Sequence, residues 1–160
     1  MEPSNPSKFI LDEGRGDSAG TASELVFLQP EEIPWQKIVP ELGDRSPDIV
    51  ILHVNPTTRD TTLMIRTPRN FHVPKHWHSH GEKHLVVSGT FIFECEGRRI
   101  ALRPGAFNYL PPRIVHEAWT EDEDCVLFTD VEGPWDVNWL EPPPWEMKQS
   151  VPSPSGRGSG

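Results

Sequence analysis

Short apolar or β-branched runs recur along the middle of the chain, each closed by Pro, Gly, Asp or a Glu-Gly pair. They predict strands at Glu24–Leu28, Asp48–Val54, Thr61–Thr67, His84–Ser88, Thr90–Cys95 and Arg98–Leu102. Further strands are expected at Ala106–Leu110, Ile114–Ala118, Cys125–Thr129 and Trp135–Leu140. Strands with turn signals between them, spaced about 8–12 residues apart, are the pattern of a sandwich or small barrel. No window carries an apolar stripe of helical period, and residues 31–42 offer one helical turn at most. The ends differ from the middle. Residues 1–20 and 142–160 are rich in Ser, Pro, Gly and charge, and are expected to be disordered tails around one domain over 21–141.

Composition narrows the function classes. The 160 residues include 18 prolines, which argues against a helix bundle. Net charge is −9, so the chain lacks the basic surface that nucleic acid requires. No apolar run reaches the ~20 residues of a membrane helix. The opening MEPSNPSKFI has no apolar stretch after a basic start, and with only two cysteines, Cys95 and Cys125, a cytoplasmic location and free thiols are expected.

The chemistry is concentrated in the histidines. Five of seven lie between His72 and His84, in the run His76-Trp-His78-Ser-His80-Gly-Glu82-Lys-His84. On a strand, residues two apart share a face at about 6.6 Å. His76 and His78 can then converge on one ion, with Glu82 offered from a neighbouring strand. A histidine-rich surface loop would give the same run. A second segment, Gly105 to His116, ends a strand in the rigid Pro111-Pro112 turn and can return His116 beside the first three.

These two segments resemble the motifs of the cupin superfamily. In the first, G-x5-H-x-H-x3-E-x6-G, the chain supplies Asn70, His76, His78, Glu82 and Gly89, departing only at Asn70. In the second, G-x5-P-x-G-x2-H-x3-N, it supplies Gly105, Pro111, Arg113, His116 and Thr120. There the first glycine, the proline and the histidine match. The resemblance spans roughly residues 45–132, and its context is most similar to single-domain ChrR-like and DUF4437-like cupins. It implies an all-β double-stranded β-helix, a jelly-roll barrel. It also implies that His76, His78, Glu82 and His116 bind one divalent transition metal, Fe(II) first, with Mn, Ni, Co or Zn as alternatives. Asn70 tolerates a left-handed backbone, whereas Arg113 puts the turn before His116 in question.

Such a site suits a dioxygenase of a small carbonyl or phenolic substrate, a metal or ligand sensor, or a non-redox isomerase. His84 shares the parity of Glu82 and is a candidate hydrogen-bond partner or proton shuttle. Arg66 is a candidate anchor for a substrate carboxylate, or one half of a surface ion pair. Tyr109, the only tyrosine, is a candidate acid to pair with His84, or a packing residue. Phe91, Phe93, Phe107, Trp119 and Phe128 are expected to fill the barrel or line a pocket, and Trp77 to face away from the metal. A homodimer is expected by analogy, with the 21–40 segment as the exchanged part.

Overall fold

The computed structural model describes residues 8–10, 25–143 and 145. Twelve strands build it: β1 (Lys8–Ile10), β2 (Gln36–Lys37), β3 (Asp48–Val54), β4 (Thr61–Thr67), β5 (His72–Trp77) and β6 (Glu82–Ser88). They continue with β7 (Phe91–Cys95), β8 (Arg98–Leu102), β9 (Phe107–Leu110), β10 (His116–Trp119), β11 (Cys125–Val131) and β12 (Asp136–Trp139). Two 3-10 turns, Pro30–Glu32 and Pro40–Arg45, occupy the region where one helical turn is expected. No helix among the described residues is long and apolar enough to cross a membrane.

The strands form two six-stranded antiparallel sheets, ordered β1-β12-β5-β10-β7-β8 and β2-β3-β4-β11-β6-β9. This is the jelly roll. Period-two patterning decides which face turns inward. On β6, Glu82, His84 and Val86 are buried while Lys83, Leu85 and Val87 are exposed. On β11, Cys125, Leu127, Thr129 and Val131 are buried. Two apolar clusters result. One joins Val86, Phe91, Phe93, Leu110, Ala118, Cys125 and Leu127; the other joins Ile49, Leu63, Val131, Trp135 and Val137. Cys95 and Cys125 are free thiols, and burial pushes the Cys125 thiol up to about 12.

Several sequence expectations change. The described part of Glu24–Leu28 is not a strand, and Leu25 and Phe27 are 85% and 84% exposed. β-branched composition alone does not make a strand without a ladder partner. The strand expected to carry both His76 and His78 is β5, which starts earlier, at His72, and ends at Trp77, just before His78; Pro74, Lys75 and two histidines dilute its apolar pattern. Lys8–Ile10, inside the stretch read as a disordered tail, pairs with β12. The remaining residues of both tails lie outside the described residues. Phe107 (60% exposed) and Phe128 (36%) face outward from their strands. Trp119 also lies outside the cavity wall, stacked on His72 (5.0 Å) under the Arg99 guanidinium (4.7 Å). Phe91 and Phe93 are in the core as expected.

The two motif positions that lack glycine keep its geometry. Asn70 and Arg113 both adopt positive φ, at 53° and 67°. The turn before His116 is therefore preserved, and Arg113 N–H donates to the His78 carbonyl (2.9 Å), tying the second motif directly to the first.

Candidate metal centre

The site sits between the two sheets. β5 and β10 of one sheet bring His76 and His116 into register as cross-strand partners, with ring centroids 4.2 Å apart. His78 follows directly after β5, and its ring lies 4.9 Å from His76 and 5.1 Å from His116. One nitrogen from each of the three rings falls within 4.8 Å of the other two. The facing sheet contributes Glu82 and His84 from β6. Glu82 Oε2 lies 3.2 Å from His78 Nε2 and 3.2 Å from His84 Nε2. All five side chains are buried, with Glu82 only 1% exposed.

Backbone carbonyls fix the tautomers. A carbonyl can only accept, so the nitrogen facing it must carry the proton. His76 Nδ1–H donates to Pro74 O (2.6 Å), His116 Nδ1–H to Ile114 O (3.0 Å), and His78 Nδ1–H to Asp136 O. In the neutral ring each Nε2 therefore keeps its lone pair. With Asn108 Oδ1 accepting from it, His84 Nδ1 is also protonated (2.9 Å). Both carboxylate oxygens of Glu82 are buried without an aligned hydrogen-bond donor. The three histidine nitrogens form the converging group and Glu82 adjoins it through His78; buried lone pairs and a carboxylate this close repel one another unless a cation sits among them. Imidazole nitrogen and carboxylate oxygen are the donors a divalent transition ion takes, so the residues fit such an ion.

The metal-free site has its own electrostatics, in which imidazolium charge would take the place of the cation. Burial, then the neighbouring His78, pushes His116 down to about 3. Burial, then His116, holds His76 well below the usual imidazole range. Burial alone would raise Glu82, but His78 and then His84 outweigh it and hold the carboxyl at about 2.

These shifts set a pH dependence for the metal-free protein. His116 falls from 6.5 to about 3 on folding, so its contribution is intact above pH 6.5 and lost as pH drops toward 3. Glu82, lowered from 4.5 to about 2, adds a second loss below pH 4.5. Thermal unfolding of the metal-free protein is expected to be level between about pH 7 and 8 and to weaken steadily below 6.5. The loss should reach several kcal/mol, of order ~1.4 per pKa unit. A melting temperature that stays flat down to pH 4 would contradict this.

A largely apolar cavity of about 90 Å³ opens over the histidines. Six aromatic rings line it: Phe71, Phe91, Phe93, Trp135, Trp139 and Trp145. His84 joins the wall, stacked on Phe93 (5.5 Å). The other two candidate catalytic residues do not. On β4, Leu63 and Thr67 are buried inward, so Arg66 falls on the opposite face. It pairs with Asp48, its cross-strand partner (2.9 Å), and stacks on Trp35 (4.4 Å). Tyr109, 44% exposed, lies on the outer face of β9 opposite Lys83. Its hydroxyl stands behind Gly81 with Glu132 (2.7 and 2.8 Å from where a Gly81 Cβ would be). Desolvation and the Glu132 carboxylate push the phenol up. His80 packs on Gly133, apart from the three-histidine group.

Sequence reasoning missed Asn108 and the tryptophans. The alternation Trp135-Val137-Trp139, all three lining the cavity, carried the signal for two of them. Trp145 lay hidden behind a proline run.

Comparison with known proteins settles the family. The profile of the ChrR cupin-like domain matches residues 23–134, which is more than half of the chain. The chain belongs to this cupin family. None of the curated proteins matches it by sequence. Among solved structures this cupin is similar to KdgF from Halomonas sp., at 23% identity and TM-score 0.56, over 68% of this chain and 94% of the other. It is also similar to an RmlC-like cupin from Ralstonia eutropha, at 18% identity and TM-score 0.57, over 69% of each chain. A predicted oxalate decarboxylase from Thermotoga maritima gives 14% identity and TM-score 0.58, over 67% of this chain and 98% of the other. Identities this low establish a common jelly roll, and the fold does not choose a reaction.

Proposed function

We propose that His76, His78, Glu82 and His116 hold one divalent transition metal, Fe(II) by preference. On this reading the cupin is an oxygenase of a small, uncharged carbonyl or phenolic compound. One observation carries the proposal: three histidine nitrogens converge within 4.8 Å of one another in an apolar cavity, with the buried Glu82 carboxylate beside them, 3.2 Å from His78. When bound, the ion supplies Lewis acidity and a place to engage dioxygen.

The protein supplies the rest. The aromatic walls orient a flat ligand and keep water out. Among the described residues lining the cavity none is Lys or Arg, so a charged carboxylate would find no basic side chain among them. His84, held by Asn108, is the remaining titratable side chain on the wall and can hold or pass a proton at Nε2. The isomerase reading loses support, because Tyr109, the acid it needs opposite His84, stands outside.

The sensing reading keeps one observation in its favour. His84 Nε2, 3.2 Å from Glu82, offers a fifth protein donor that would fill a position a substrate needs.

Anaerobic loading with Fe(II), followed by oxygen uptake with a panel of diketones, hydroxyketones and catechols, separates the two. The oxygenase reading expects substrate-dependent uptake that Zn(II) does not support. Stoichiometric metal with no uptake across the panel would favour the sensor.

A further inference from the structure

We propose that Trp145 shuts the cavity and sets the size of the molecule it admits. The ligand half of this statement rests on the small-molecule reading above; the closure half does not. At about 90 Å³ the cavity is well below the ~300–1,000 Å³ of typical ligand pockets. A ligand larger than this space needs part of the wall to move. The sheet residues of the wall are fixed by ladders on both sides. Trp145 is not. It arrives on the segment after β12, outside both sheets.

Among the described residues, the last backbone hydrogen bond of that segment runs from Leu140 N–H to Lys75 O (3.2 Å). Side-chain packing also holds the described residues beyond it. Pro143 is fully buried and anchors the segment. The Trp145 indole then stacks on Phe71 (5.9 Å, 30° between planes) and meets Trp139 edge to face (5.4 Å, 86°). Trp139 in turn lies 5.1 Å from the His76 ring, so the indole closes the wall one ring away from the histidine cluster. Swinging Trp145 outward opens this approach while every β-ladder stays intact.

The closure is tested without metal or turnover. Metal-free protein at pH 7.5 is treated with diethylpyrocarbonate, and modification of each histidine is followed by mass spectrometry. Exposed His72 serves as the internal standard. Trp145→Ala is expected to speed modification of His76 by at least about fivefold relative to His72, and Trp145→Phe to restore most of the protection. Equal rates in Trp145→Ala and the parent protein would overturn the closure. So would an acceleration accompanied by loss of amide protection in β11, which signals general unfolding.

The size role is tested on Zn(II)-loaded protein by calorimetry with catechol and 2,3-dihydroxynaphthalene. The parent should prefer catechol, and Trp145→Ala should shift the preference toward the bicyclic diol by about tenfold. An unchanged preference overturns the size role. If neither diol binds either protein, the size role falls together with the small-ligand reading, while the His76 rates still decide the closure.

Discussion

His116→Ala is expected to abolish stoichiometric metal binding while the jelly roll stays folded. His116 opens β10 and stands opposite His76, so its ring closes the three-histidine group from the neighbouring strand. Without it, two imidazoles and one carboxylate remain, and affinity should fall by more than the ~10–100-fold typical of losing a mere supporting contact. The fold should survive, because the β10 ladder to β7 and β5 is made by backbone atoms. The substitution also removes a ring that cannot be protonated in place without a large penalty. Elemental analysis should fall from one ion per chain in the parent to a trace in the variant, with the circular dichroism spectrum unchanged. Full occupancy in the variant would refute the ligand assignment.

Gly89→Ala is expected to have the opposite profile, a failure of the fold with no direct effect on any ligand. Gly89 turns β6 into β7 at φ +72°, where a side chain is already strained. The larger obstacle is space. A Cβ there would lie 2.1 Å from the Asp124 carbonyl oxygen and 2.9 Å from Cys125 Cα, both backbone atoms at the start of β11. Relief requires β11 to move away from β6, which breaks the pairing that sets Glu82 and His84 opposite Val131 and Thr129. A loss above about 4 kcal/mol is expected, read as insoluble protein or a collapsed denaturation midpoint. Gly97→Ala is the control. It sits at φ +74° with nothing within 4 Å, so only backbone strain of about 1–2 kcal/mol applies. Similar losses in the two variants would show that the close contact, and with it the β6–β11 register, does not matter.

Much of this was legible in the chain because period-two patterning and histidine spacing are local properties. The alternation of β6 places Glu82 and His84 on one face, and the spacing of His76, His78 and Glu82 leaves room for the chain to cross to the other sheet. What escaped depends on contacts far apart in sequence. Parity along β4 puts Arg66 outside once Leu63 is known to be inside, but the sequence does not say which face of Thr61–Thr67 is buried. Asp48, its actual partner, lies eighteen residues upstream. Tyr109 reads as a candidate acid or a packing residue, yet Glu132, just past β11, meets its hydroxyl on the outer face. Trp145 follows Pro142-Pro143-Pro144, a run that reads as a tail; only the packing of Pro143 and Phe71 shows that it returns to the cavity. The carbonyls that fix the histidine tautomers are equally invisible, since Asp136 stands 58 residues from His78.

The most direct measurement is anomalous diffraction from crystals of protein purified with its native metal. A single peak is expected between the sheets, at about 2.0–2.2 Å from Nε2 of His76, His78 and His116 and from a carboxylate oxygen of Glu82. A scan across the iron edge would identify the element. Absence of a peak there, or a peak on exposed histidines such as His72 with the buried cluster hydrogen-bonded only to water, would contradict the account.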